Sequence, residues 1–126
     1  MIKLNDVLDI ANFQKKEEKS KGVKILDDIL EEIKKAEKIV ILTHESPDGD
    51  AVGSSLAMKF ILESMNKKPD VIITEYSRLF NFLPESNKIK QESIVENYDL
   101  AISVDCADLK RLDNKEYFEN AKKRLL

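Results

Sequence analysis

Ile39-Val40-Ile41-Leu42-Thr43-His44-Glu45-Ser46-Pro47-Asp48-Gly49-Asp50-Ala51-Val52-Gly53-Ser54 reads as a strand, an acidic turn and the approach to a helix, in that order. The first four residues are apolar and mostly β-branched, as in a strand covered on both faces of a parallel sheet. Pro47, Asp48 and Gly49 each favour a turn. From Ser54 to Met65 the apolar residues Leu56, Phe60, Ile61 and Met65 have helical spacing, and Asn66 to Pro69 ends the run. The strand therefore delivers an imidazole and two carboxylates into one glycine-containing turn. Carboxylates one residue apart repel unless a cation, a proton or water lies between them. A metal site is the simplest arrangement that uses all three groups.

Working upstream, Ile25, Leu26, Ile29, Leu30 and Ile33 mark one face of a helix over 23–36. Residues 14–22 form a charged linker, and Leu4, Val7, Leu8 and Ala11 outline a short amphipathic helix before it. Downstream, Val71 to Ile73 predicts a strand, and Phe80, Phe82 and Leu83 an apolar cluster stopped by Pro84. Tyr98 to Val104 predicts a strand ending at Asp105, Asn114 to Lys123 a helix, and Arg124 to Leu126 the start of another strand. Alternating strands and helices indicate an α/β fold. The expected architecture is a three-layer, doubly wound parallel sheet flanked by helices, incomplete at the C-terminus. Ligands of such sheets bind at the carboxyl ends of strands near a topological switch point, which is where His44, Asp48, Asp50 and Asp105 fall.

Composition narrows the rest. A chain of 126 residues suits one domain, and 42% apolar with 36% charged residues is ordinary globular composition. A net charge of −3 disfavours a broad nucleic-acid surface. No apolar run approaches the ~20 residues that span a bilayer. Asp6 and Asp9 argue against a secretory signal. The single cysteine, Cys106, precludes an internal disulfide and makes a cytoplasmic setting the default; it reads as packing. One Cys and one His cannot build a Cys/His zinc site.

Taken singly, the turn could be a surface β-turn, His44 a strand-end residue and Asp105 a helix N-cap. An EF-hand loop starting at Asp48 fails, because Val52 and Lys59 stand where oxygen ligands belong. A P-loop and a Gly-x-Ser-x-Gly elbow are absent. Three carboxylates with one imidazole form a hard site suited to Mn²⁺ or Mg²⁺. Two ions in such a site can activate water for an in-line displacement at phosphorus.

The segment Ile41 to Ser54 resembles the first motif of the DHH phosphoesterases, and Ala101-Ile102-Ser103-Val104-Asp105-Cys106-Ala107-Asp108, followed by Arg111, resembles the second. Phe82-Leu83-Pro84 between them resembles the oligoribonuclease branch, whose members also dephosphorylate pAp. The resemblance covers residues 23–126, leaving 1–22 as an N-terminal helix and linker. It implies a hydrolase of short oligonucleotides or nucleoside bisphosphates; with the composition, the expectation is a cytoplasmic protein with no membrane partner, and a homodimer is possible. It implies two Mn²⁺ ions, with Mg²⁺ as the alternative. His44 and Asp48 would hold one ion, Asp50 the other, and Asp105 would bridge them. Asp48, Asp50 and Asp105 would form the catalytic set, with Ser54 and Arg111 near substrate and Asp108 serving either loop order or substrate contact. The family's Asp-His-His triplet, its later acidic ligand and its C-terminal substrate-binding domain have no counterpart in the sequence. The expectation is the N-terminal part of a catalytic domain, inactive or nearly so alone. A non-catalytic nucleotide- or metal-binding module is the alternative, with cyclic-dinucleotide hydrolysis a further option within the family.

Overall fold

A computed structural model describes residues 21–126. The expected helix over 4–13 and most of the charged linker lie outside these residues. Helix α1 spans Lys21–Lys35, so the end of the charged stretch is already helical. Of its five predicted face residues only Ile33 is buried, while Ile25 and Leu26 are more than half exposed. Ala36–Leu126 forms a compact unit of its own.

In that unit β1 (Ile39–Leu42) is followed by α2 (Gly49–Ser64), β2 (Asp70–Val71), β3 (Leu100–Ser103), α3 (Lys115–Asn120) and β4 (Lys123–Leu125). The four strands form one sheet in the order β2-β1-β3-β4, every pair parallel. Leu42 pairs with Ser103, so β1 and β3 end level with each other. The chain moves one way from β1 to β2 and the other way from β3 to β4. Right-handed crossovers then put α2 and α3 on opposite faces, as in a doubly wound sheet. Packing agrees. Val40, Leu42 and Ala101 share a cluster with Phe118 and Ala121, and none of the buried residues of α2 belongs to it. Every residue of β1 and β3 is buried, which explains their unbroken apolar runs. Truncating one of these side chains, such as Ile41→Ala, costs about 2–5 kcal/mol.

Three expectations need correction. Helix α2 begins at Gly49 rather than Ser54, because the Asp48 side chain accepts a hydrogen bond from Ala51 N (2.9 Å) and caps it. The acidic turn is therefore shorter than it reads, and Asp50 rides on the first helical turn. Strand β2 itself is confined to Asp70–Val71; Ile72 continues only as an isolated parallel bridge to Lys90, and Ile72 and Ile73 remain buried. The cluster of Phe80, Phe82 and Leu83 does not form. Arg78–Phe80 is a 3₁₀ turn, in which residues three apart share a side. Phe80 and Leu83 are half-buried, whereas Leu79 and Phe82 are each 79% exposed.

Candidate metal centre

β1 and β3 are the neighbouring strands at which the winding direction reverses, and the loops after them carry the acidic residues. The β1 loop is short because Asp48 already belongs to the α2 cap. The β3 loop is held against it by main-chain bonds. Glu45 N donates to Arg111 O (2.8 Å), Asp113 N donates to Thr43 O (2.9 Å), and His44 bridges Leu112 in antiparallel fashion. Asp113 also accepts from Thr74 N and Thr74 Oγ1, which ties the end of the β2 segment to the same loop. Thus three strand ends are tethered around one point.

His44, Asp48 and Asp105 meet there, with one ligand atom from each lying within 4.8 Å of the others. His44 Nδ1 lies 2.8 Å from Glu45 O. A carbonyl can only accept, so Nδ1 carries the hydrogen and Nε2 is turned toward the carboxylates. Nε2 is 3.7 Å from Asp105 Oδ2 and 4.0 Å from Asp48 Oδ1, too far for hydrogen bonds. Two donors about 2.1 Å from a shared cation lie roughly 3–4 Å apart. Those two separations match a cation-sized gap, and the donor set suits a hard divalent ion. The residues present therefore fit one such ion.

Two backbone features support the arrangement. Asp105 and Ser46 have φ of 50° and 52°, a left-handed conformation that costs energy for residues other than glycine. Such outliers concentrate where a side chain must be aimed. The Asp48 cap fixes its carboxylate while leaving further lone pairs available.

A cleft of about 590 Å³ opens over the trio. Asp50 and Arg111 line it, as do Ser103, Cys106 and Ala107. Asp50 is not among the three converging groups; its Oδ1 accepts from Ser54 Oγ at 3.3 Å. Ser54 is therefore a partner of Asp50. Asp108 caps the 3₁₀ turn Leu109–Arg111 through Lys110 N (2.9 Å), which orders the loop carrying Arg111. Cys106 packs against the core, as its sequence context predicts, but it also borders the cleft. Ser103 was not singled out by the sequence. Its signal was positional: two residues before Asp105, at the end of a buried strand.

The chain matches the family model described as DHH family, N-terminal domain, over residues 38–126. Seven solved chains match as well. One is an exopolyphosphatase-related protein from Bacteroides fragilis, with 31% identity and a TM-score of 0.67 over 77% of this chain. The match spans 32% of that protein's length. No curated protein matches.

Proposed function

The chain belongs to the DHH family, and on that footing we propose that it forms the metal-binding edge of a phosphoesterase active site. The observation that carries the reading is the convergence of His44, Asp48 and Asp105 at the switch point of the sheet, in a gap that fits a divalent ion. His44 Nε2 and the carboxylates of Asp48 and Asp105 would hold that ion. Asp50, which lines the same cleft, would be available to a second ion. When bound, divalent cations supply Lewis-acid polarisation of phosphoryl oxygens and a nucleophilic water at neutral pH. Mn²⁺ is the favoured ion and Mg²⁺ the alternative.

The chain's own groups have distinct tasks. Glu45 O holds the His44 ring in one tautomer, and the α2 cap holds Asp48 in register. Arg111 lines the cleft, and a guanidinium is suited to a phosphoryl group through its paired N–H donors. Ser54 orients Asp50. The substrate we favour is a short oligonucleotide or a nucleoside bisphosphate such as pAp. The printed description of the Bacteroides relative favours polyphosphate as a second reading. Both are phosphoryl compounds and make the same demand on the metal edge.

Calorimetric titration of the chain with Mn²⁺ tests the metal edge, and phosphate release from pAp, a short oligoribonucleotide and polyphosphate tests substrate class. We expect Mn²⁺ binding that is lost in His44→Ala and Asp48→Asn. Wild-type affinity in both variants would remove the basis for the reading. Turnover by the 126-residue chain at enzymatic rates would overturn the expectation that it is nearly inactive alone.

A further inference from the structure

The cleft contains one polar group that the proposed chemistry leaves without a task. Ser103 is 6% exposed, and its Oγ has no hydrogen-bond partner. Buried hydroxyls are almost always paired, because leaving one unpaired forfeits its bond to water. Ser103 also lines the cleft with His44, Asp48, Asp50 and Asp105. It sits opposite Leu42 in the β1–β3 register, at the last paired position before both acidic loops.

Alternation along β3 puts Ser103 on the same face as Ala101, whose neighbours are apolar. An alanine or valine would suit that environment better than a hydroxyl. Thr43 offers a comparison within the same molecule. Its Oγ1 is also buried and unpaired, but Thr43 is not among the cleft residues.

We infer that Ser103 is a positioning residue whose hydroxyl donates a hydrogen bond to the ligand assembly of the loaded metal centre. Its partner is a carboxylate of the centre or a water bridging to one. The donor keeps the liganding oxygen oriented. In the protein without metal the hydroxyl goes unpaired and is a net cost to stability. This inference rests on the proposed metal edge, since Ser103 acts through the ligands and does not bind the ion itself.

The two consequences have opposite signs, which separates them from a simple packing defect. Ser103→Ala should raise the Tm of the metal-free chain by a few degrees, by removing an unpaired buried polar group. The same change should weaken Mn²⁺ binding about 10-fold or more, the scale of losses seen when the partner of a metal ligand is removed. Ser103→Thr, which keeps the hydroxyl, should recover most of the affinity. Thr43→Val should raise Tm similarly and leave Mn²⁺ affinity unaltered.

The measurements are calorimetric Mn²⁺ affinity and the metal-free melting temperature of all four proteins. If Ser103→Ala binds Mn²⁺ within twofold of wild type, the positioning role is wrong. An equal loss of affinity in Thr43→Val also overturns it, by showing a general core effect. If the wild-type chain binds no Mn²⁺, the proposed function fails and this inference fails with it.

Discussion

Around Lys59 the charges alternate in sign. Its Nζ, 7% exposed at residue level, lies between Glu63 Oε1 (2.8 Å) and Glu85 Oε2 (2.6 Å), and Glu85 reaches on to Lys88 (2.9 Å). Burial alone would lower the Lys59 ammonium, but hydrogen bonds to Glu63 and Glu85 outweigh it and hold the group above its ordinary value. Around His44 the pattern is different. Asp48 and Asp105 face the same imidazole at distances too long to bond, and no lysine or arginine among the described residues is paired with either. Both clusters sit beside α2. One is paired internally in the folded chain, whereas the other is left incomplete there and takes a cation only on the function proposed above. On that proposal, stability and function fall to separate sets of charges.

Removing one carboxylate from the incomplete set should have the largest effect. Asparagine tolerates the left-handed conformation of Asp105, so Asp105→Asn keeps the backbone and deletes the charge. Mn²⁺ affinity should fall at least ~100-fold, the upper end of what loss of a ligand's partner costs. The metal-free Tm should hold or rise, because a carboxylate facing Asp48 has gone. Calorimetry and thermal melting measure the two. A large drop in Tm would show that Asp105 is structural and erase the contrast with Lys59.

The same test at Lys59 should run the other way. Lys59→Met leaves Glu63 and Glu85 without their shared cation, so Tm should fall by several degrees while Mn²⁺ affinity stays level. A pH series sharpens this. Hydrogen bonds from Lys59 and then Lys88 push the Glu85 carboxyl down to about 2 from an ordinary 4.5. A depressed carboxyl stabilises the fold fully above its unfolded value and loses that contribution as pH falls through its folded value. Wild type should therefore lose stability between roughly pH 4.5 and 2 by this route. In Lys59→Met the loss over that window should shrink, with Lys88 retaining part of it. An unchanged acid limb would mean that the Lys59–Glu85 contact does not persist in solution.

These two regions were not equally legible. The convergence of His44, Asp48 and Asp105 could be anticipated because each follows a buried strand, Ile39 to Leu42 or Leu100 to Ser103, although Asp105 lies far from the other two in sequence. The rule that ligands gather at strand ends then did the rest. The helix start was misplaced because Pro47-Asp48-Gly49-Asp50 carries turn chemistry, and an N-cap uses the same residue types as a turn. Lys59 was invisible for another reason. A lysine in a helical pattern reads as exposed, and one of its partners lies 26 positions away. The same holds for the Thr74–Asp113 tie, 39 positions apart. The left-handed turn at Asp105 had no signal, since nothing local demands it.

Gly53 yields the smallest effect and asks a separate question about the incomplete region. A glycine early in a helix can permit close approach by a sheet or ligand. In the fold a Cβ built at Gly53 meets nothing within 4 Å, whereas one at Gly49 would lie 3.3 Å from Phe80 Cε1. Sheet packing therefore does not require glycine at 53. Inside α2 the replacement should be favourable, since alanine is worth about 0.5–1 kcal/mol over glycine in a helix interior. Gly53→Ala should thus raise the melting temperature slightly and leave Mn²⁺ affinity alone. Gly49→Ala should gain less, because the Phe80 ring must shift. If Gly53→Ala is stabilised as expected but phosphate release by a catalytically competent protein carrying it falls, the open space at 53 belongs to the substrate. If neither changes, the glycine has no role at the metal edge.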